Sequence, residues 1–341
     1  MNLSIRPVDL SNEQEELVAV LQRNLPDVPH SARFSWLYRN NPSGAARTWF
    51  LCDRNDRVVG VTSLFPRTVW INNTATVCGQ VGDFGVDSEY RSLGPALLLQ
   101  QATFQPVQDG EMAFCYDCPP HERGMAMFYR LGIREHCQTQ AYVKPVRVER
   151  QLRRMLGRPA GSLAAHIVDP VLSLRFRGQR GSSSIEFALH NSEFGHEFTA
   201  CDQAPESGTV RHRRNAEDLN WRYRNNPLRE FEVLTARKNG ELLGYVVFSV
   251  ENGDALIFDL FGTDLAHVGP RILQAITELA RSRHLHTIRA LLSQKCSYRP
   301  LFERAGFFPR DHGPRIVAFS VSHEAWLRSA SWQFQQADVM A

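Results

Sequence analysis

The sequence is short of the features that would sort it quickly. Net charge is only +3 over 341 residues, too little to argue for a nucleic-acid partner. No apolar run approaches the roughly 18 residues that a membrane-spanning helix needs, so no membrane span is expected. The opening residues, Met-Asn-Leu-Ser-Ile-Arg-Pro-Val-Asp-Leu, lack the apolar stretch of a secretory signal. The seven cysteines are scattered and odd in number. That suits the reduced thiols of a cytoplasmic protein better than a disulfide framework. Cys115-Tyr116-Asp117-Cys118 is a lone CxxC without a second pair at metal spacing, so no metal is expected.

What is present reads as an ordinary globular chain, 43% hydrophobic and 22% charged, long enough for about two domains. Residues 80–104 organise the rest. Residues 81–86 form a short apolar run with two glycines, which suits a central strand approached closely by something else. Residues 96–104 are good helix formers. Between them lies Arg91-Ser92-Leu93-Gly94-Pro95-Ala96. Pro95 fits a first helical turn, and Gly94 lets the backbone come close to a ligand. A helix start here offers N–H groups and partial positive charge to an anion.

Around this stretch, strands are expected at 4–8, 48–53, 58–65, 69–72, 112–116 and 140–144, and helices at 12–24, 34–39 and 124–131. Residues 147–180 are rich in arginine and end in Gly181-Ser182-Ser183-Ser184. They read as a partly helical basic connector, either a solvated helix face or a surface for an anionic substrate or a membrane.

The pattern then repeats. Trp36-Leu37-Tyr38-Arg39-Asn40-Asn41-Pro42 recurs as Trp221-Arg222-Tyr223-Arg224-Asn225-Asn226-Pro227. Each copy is followed by a hairpin, the second turned at Asn239-Gly240, and by a strand bearing an acid, Asp83 or Asp259. Gly94-Pro95 matches Gly269-Pro270, which is expected to open a helix over 271–281. Met127-Phe128-Tyr129-Arg130-Leu131-Gly132 matches Leu301-Phe302-Glu303-Arg304-Ala305-Gly306. Four features in one order argue for two copies of one α/β unit.

Each copy resembles the GNAT acyltransferase unit. The likeness rests on Val86 through Ala96, against the family's loop Gln/Arg-x-x-Gly-x-Gly/Ala after a strand that ends five positions before the Arg. The helix-ending Gly132 and Gly306 add to it. It covers residues 3–145 and 186–322. The resemblance implies an α/β (α+β) fold of two tandem GNAT-like units, each a mixed, mostly antiparallel sheet flanked by helices. The expected division is 1–145, connector 146–185, 186–323, and a tail 324–341. It implies acetyl-CoA or another acyl-CoA as co-substrate. The backbone of Phe84 and Val86 would pair with pantetheine, and the N–H groups of Arg91, Ser92, Leu93, Gly94 and Ala96 would cradle the pyrophosphate. The second copy has Ala266 in place of the loop Arg, so the first copy is expected to hold the only good acyl-CoA site.

The family often places a proton-donating Tyr four residues before the helix-ending Gly. Here that position holds Phe128, and Phe302 in the second copy. Tyr129, one residue on, is the candidate acid, though a helix turns it about 100° away. Asp83 is the acid/base candidate on the strand beside the expected thioester, because an acid on a central strand is costly to bury unless used or paired. A purely structural ion pair would satisfy it equally. Asp117, Cys118 and His121 follow a strand end and are expected to line the acceptor pocket. Trp36 and Trp221 read as core anchors or as cleft walls. The expected function is N-acyl transfer to a small-molecule amine, with a nucleotide-linked amino sugar as one acceptor that the likeness suggests. A non-catalytic acyl-CoA-binding or interaction module and a Fem-type aminoacyl transferase are the alternatives. Oligomeric state is left open.

Overall fold

The computed structural model describes residues 3–147 and 185–339, so the basic connector lies almost wholly outside the described residues. The first half runs β1 (Ser4–Pro7), α1 (Gln14–Asn24), α2 (His30–Phe34), β2 (Arg47–Cys52), β3 (Val58–Ile71), β4 (Thr74–Val86), α3 (Leu93–Gln108), β5 (Cys115–Asp117), α4 (Glu122–Arg130) and β6 (Glu135–Pro145). The second runs β7 (Ile185–Leu189), α5 (His196–Cys201), β8 (Thr209–His212), α6 (Ala216–Leu219), β9 (Glu232–Lys238), β10 (Glu241–Glu251), β11 (Asp254–Gly262), α7 (Leu265–Ser282), β12 (Thr287–Ser293), α8 (Arg299–Arg304) and β13 (Phe308–Phe319). α9 (Glu324–Ser329), β14 (Ser331–Trp332) and α10 (Gln336–Val339) follow.

The strands make one mixed sheet in the order β1-β2-β3-β4-β5-β13-β6-β12-β11-β10-β9-β7. Read inward from either edge, the order is the same apart from one exchange at the centre. β6 hydrogen-bonds to β12 from Thr139 to Pro145, while β13 pairs with β5 at Asp117, Tyr116 and Cys115. Each half therefore receives the last strand of the other, and β6 and β13 also pair with each other.

The repeated Trp-x-Tyr-Arg segments lie where the halves meet. Each is a turn of π-helix, Ser35–Arg39 and Asn220–Arg224. The two tryptophans stack at 5.0 Å with planes 19° apart. Each indole N–H donates to the other's backbone carbonyl, Trp36 to Trp221 at 2.7 Å and Trp221 to Trp36 at 2.9 Å. A buried indole needs such a partner, and here the two copies supply each other's. The Asn-Pro pairs end both turns.

Three elements differ from the sequence expectation. The expected strand at 69–72 is the end of β3. It runs unbroken into a tight turn whose Asn72 and Asn73 both adopt positive φ, 47° and 66°, as this hairpin type requires. α3 continues through Pro106 to Gln108. The helix predicted over 271–281 begins at Leu265, so Gly269-Pro270 sits inside it.

Candidate active site

β4 and β5 run parallel and pair at Gly79 with Cys115 and at Gln80 with Tyr116, and then they part. Just beyond, β4 is bulged. Val61 pairs with Gly85 and Ser63 with Gly82, so Asp83 and Phe84 together stand opposite Thr62. Asp83 takes φ 48°, unusual for a residue with a side chain. A bulge interrupts the ladder and turns the strand. A slot therefore opens between the end of β4 and the end of β5.

α3 begins at the slot's mouth. Ser92, extended at φ −142° and ψ 176°, makes no side-chain cap, so the first-turn N–H groups keep their capacity for an outside acceptor. Arg91, Ser92, Leu93 and Gly94 are exposed, and a Cβ added at Gly94 would meet nothing within 4 Å. Two of the expected binding groups are partly engaged. The Arg91 N–H donates to the Ser88 carbonyl at 3.3 Å, and the Arg91 guanidinium folds back to donate twice to the Val86 carbonyl at 3.2 Å. Phe84, Ala96 and Tyr129 pack against one apolar cluster that contains Phe128 and Val317.

The acids divide by environment. Asp83 is ion-paired through Oδ1 with buried Arg33, and its Oδ2 accepts the Tyr38 hydroxyl at 2.5 Å. Both oxygens are committed. Asp117 sits on the other lip of the slot at the end of β5, half-buried. Burial pushes its carboxyl up to about 7, opposed only by a hydrogen bond from the Cys118 N–H. Burial likewise raises the Cys118 thiol well above its ordinary value, and the Asp117 charge adds to this. His121 is exposed just before α4. The Tyr129 hydroxyl donates to Glu135 at 3.1 Å near the surface rather than standing free. Among the described residues, no group of three or more His, Cys, Asp or Glu side chains is placed to share a metal ion.

Sequence reasoning missed Arg33 and Tyr38. A signal for Tyr38 was available, since Tyr223 of the repeated motif donates to Asp259 at 3.2 Å as Tyr38 does to Asp83. The motif tyrosine and the strand acid are one device used twice.

The equivalent slot in the second half is filled from within. β11 and β12 pair from Asp254 to Ile257 and then part, and β11 is bulged against β10 close to this point, where Phe258 is the extra residue between the pairs Val247–Asp259 and Phe248–Ile257. Gly60 pairs with Val86 and Gly244 with Gly262, which makes Leu260 the counterpart of Phe84. The Gln335 side chain enters this gap. Its Oε1 accepts the Leu260 N–H at 2.9 Å and its Nε2 donates to the Leu260 carbonyl at 3.0 Å. The same amide donates to Asp259 at 2.9 Å. Around it, Phe334 bonds Ser293, and Asp338 pairs with Arg214 and Arg222. Among the described residues, no side chain does the same to the Phe84 backbone. The second helix start also differs: Asp264 caps α7 by accepting the His267 N–H, which puts a carboxylate where a phosphate would sit.

The fold belongs to the GNAT class of acyltransferase folds. The particular likenesses are to a probable N-acyltransferase of Enterococcus faecalis V583, a GCN5-related N-acetyltransferase of Anabaena variabilis, and the N-myristoyltransferase of Saccharomyces cerevisiae. For the first, the TM-score is 0.68 at 10% identity over 96% of this chain and 75% of the other. For the second it is 0.64 at 12% identity over 93% and 72%. For the third it is 0.53 at 12% identity over 94% and 79%. No protein-family model and no curated relative matches the sequence. No described helix is long and apolar enough to cross a membrane.

Proposed function

We propose that the protein is an acyl-CoA-dependent N-acyltransferase that moves an acyl group, acetyl in the first instance, to the amine of a small molecule. The observation that carries this reading is the parting of β4 from β5 at Gln80 and Tyr116, with a bulge at its edge and an uncapped helix start at its mouth. The open space at Gly94 fits a phosphate group. Bound acyl-CoA would supply the activated thioester carbonyl. Phe84 and Val86 would offer backbone groups to the pantetheine, with Arg91 leaving the Val86 carbonyl as it enters. Ser92, Leu93, Gly94 and Ala96 would hold the pyrophosphate.

Asp83 serves in this reading as a positioning residue, since Arg33 and Tyr38 hold it and it holds the bulge. Asp117 is the general base, because its carboxyl titrates near neutrality on the lip of the slot. It takes the proton of the amine as nitrogen bonds to the carbonyl carbon. The carbon–sulfur bond breaks, and the thiolate leaves and is protonated. Tyr129 supplies that proton once its hydroxyl leaves Glu135. Cys118 and His121 line the acceptor side. A nucleotide-linked amino sugar remains the first acceptor to try.

Calorimetry with acetyl-CoA tests the reading. One site per chain is expected, because Gln335 holds the second slot. Gly94→Asp should weaken binding tenfold or more, which is about 1.4 kcal/mol. Absence of binding to the intact protein would overturn the proposal. A second reading, a non-catalytic acyl-CoA-binding module, is favoured by the full engagement of Asp83 and by Phe128 at the usual Tyr position. Binding without thiol release across a panel of amines would select it.

A further inference from the structure

A cavity of about 140 Å³ lies where the halves meet, and the acyl-transfer reading leaves it unused. Its walls are aromatic: Trp36, Trp221, Tyr223, Phe231 and Phe258. Its charged groups are all cationic, namely Arg67, Arg222 and Arg229, with Asn226 as a neutral polar neighbour.

Two of these arginines have carboxylate partners. Arg222 pairs with Asp338 at 3.0 Å and Arg229 with Glu251 at 2.9 Å. Arg67 differs. It is 5% exposed, donates from Nε to Gln80 Oε1 and from Nη1 to the Pro66 carbonyl, both at 3.1 Å, and stacks over the Trp221 ring at 4.8 Å. Among the described residues it meets no carboxylate, and Nη2 makes no hydrogen bond. Burial pushes this guanidinium down to about 10, and the neighbouring Arg222 charge acts in the same direction. A buried charge left unpaired is costly to the fold. An oxyanion entering the cavity would remove that cost, and a planar guanidinium suits a carboxylate or phosphate edge.

We propose that this cavity binds a small molecule with a flat apolar body and one oxyanion group, the anion on Arg67 and the body among Trp36, Trp221 and Phe258. The volume has room for roughly ten water-sized atoms, which matches a single substituted ring.

Benzoate is the probe, with phenyl phosphate and benzamide beside it, followed by tryptophan fluorescence because both cavity tryptophans report. Saturable quenching by at least one of the two anions is expected, with benzamide at least tenfold weaker. The tighter of the two identifies the oxyanion. Arg67→Gln should raise the Kd of that anion tenfold or more while acetyl-CoA affinity stays as it was. Ala337, at the cavity wall, supplies a variant that keeps the arginine: Ala337→Leu fills the space and should abolish the quenching. No saturable binding of either anion, equal binding of benzamide, or unchanged binding in Arg67→Gln would overturn the proposal. Should Arg67→Gln not fold, unchanged binding in Ala337→Leu overturns it instead.

Discussion

Asp338→Ala is expected to lower the unfolding free energy by about 3–5 kcal/mol, the usual loss when one member of a buried ion network is removed. Asp338 is fully buried. Its Oδ2 accepts Arg214 Nη2 at 2.9 Å and its Oδ1 accepts Arg222 Nη1 at 3.0 Å. Burial opposes the charged carboxylate, yet the Arg214 and Arg222 guanidiniums hold its carboxyl well below the usual range. Without it, Arg214 keeps Asp259, but Arg222 is left with the His212 ring at 3.3 Å. That ring is itself neutral, since burial pushes it well below its ordinary value. Asp338→Asn should recover only part of the loss, because it restores shape without charge. Chemical denaturation at pH 7 measures both. A loss under 1 kcal/mol for the alanine variant would mean that water enters and replaces the carboxylate.

The consequence reaches beyond stability. The network anchors the segment that carries Gln335, and Gln335 makes with Leu260 the two-bond amide pairing that a pantetheine amide is expected to make with Phe84. On the proposed reading, the carboxamide occupies in the second slot the place that a cofactor amide would take in the first. The same segment reaches the first half, since the Asp338 carbonyl accepts the Tyr116 hydroxyl of β5 at 3.0 Å. On the proposed reading, one acyl-CoA per chain is expected because the Gln335 side chain already occupies the second slot.

Much of this was legible in the sequence, and the limits have physical causes. Periodicity and turn residues located most strands and helices, because they report which face is buried and where the chain reverses. The repeat of Trp-x-Tyr-Arg and of the strand acids located two related units. Equivalence by motif failed at Gly-Pro. Gly94 falls in the first turn of α3, whereas Gly269 lies in the second turn of α7, because Asp264 starts that helix earlier. A Cβ on Gly269 would meet Leu301 at 3.2 Å, so its substitution would test packing and not phosphate binding. The central exchange of β6 and β13 could not be read, since alternation fixes a strand's face and leaves its partner open. Nor could the tail, where a buried Gln335 and Asp338 look in sequence like any solvated polar pair.

Asp117→Asn should slow acyl transfer by about 10²–10⁴-fold, the range for removal of a general base. In the native protein kcat/KM should rise with pH through about 7, because Asp117 works only when deprotonated and burial keeps its proton to that pH. The variant should lose this limb. Stability should move the opposite way. Between the ordinary carboxyl value of 3.8 and about 7 the unfolded chain releases a proton that the folded chain retains. Folding is therefore penalised progressively as pH rises through that window, and the penalty stays constant above it. Asparagine carries no such penalty, so Asp117→Asn should gain about 1–3 kcal/mol over the native protein at pH 8 and nothing near pH 4. A residue whose removal stabilises the fold while stopping the reaction is held for chemistry rather than for packing. Retained turnover with an unchanged pH profile would remove Asp117 from the mechanism. Acetyl-CoA affinity, which the proposed reading assigns to Phe84 through Ala96, should be the same in both proteins, and that separates a failed base from a failed slot.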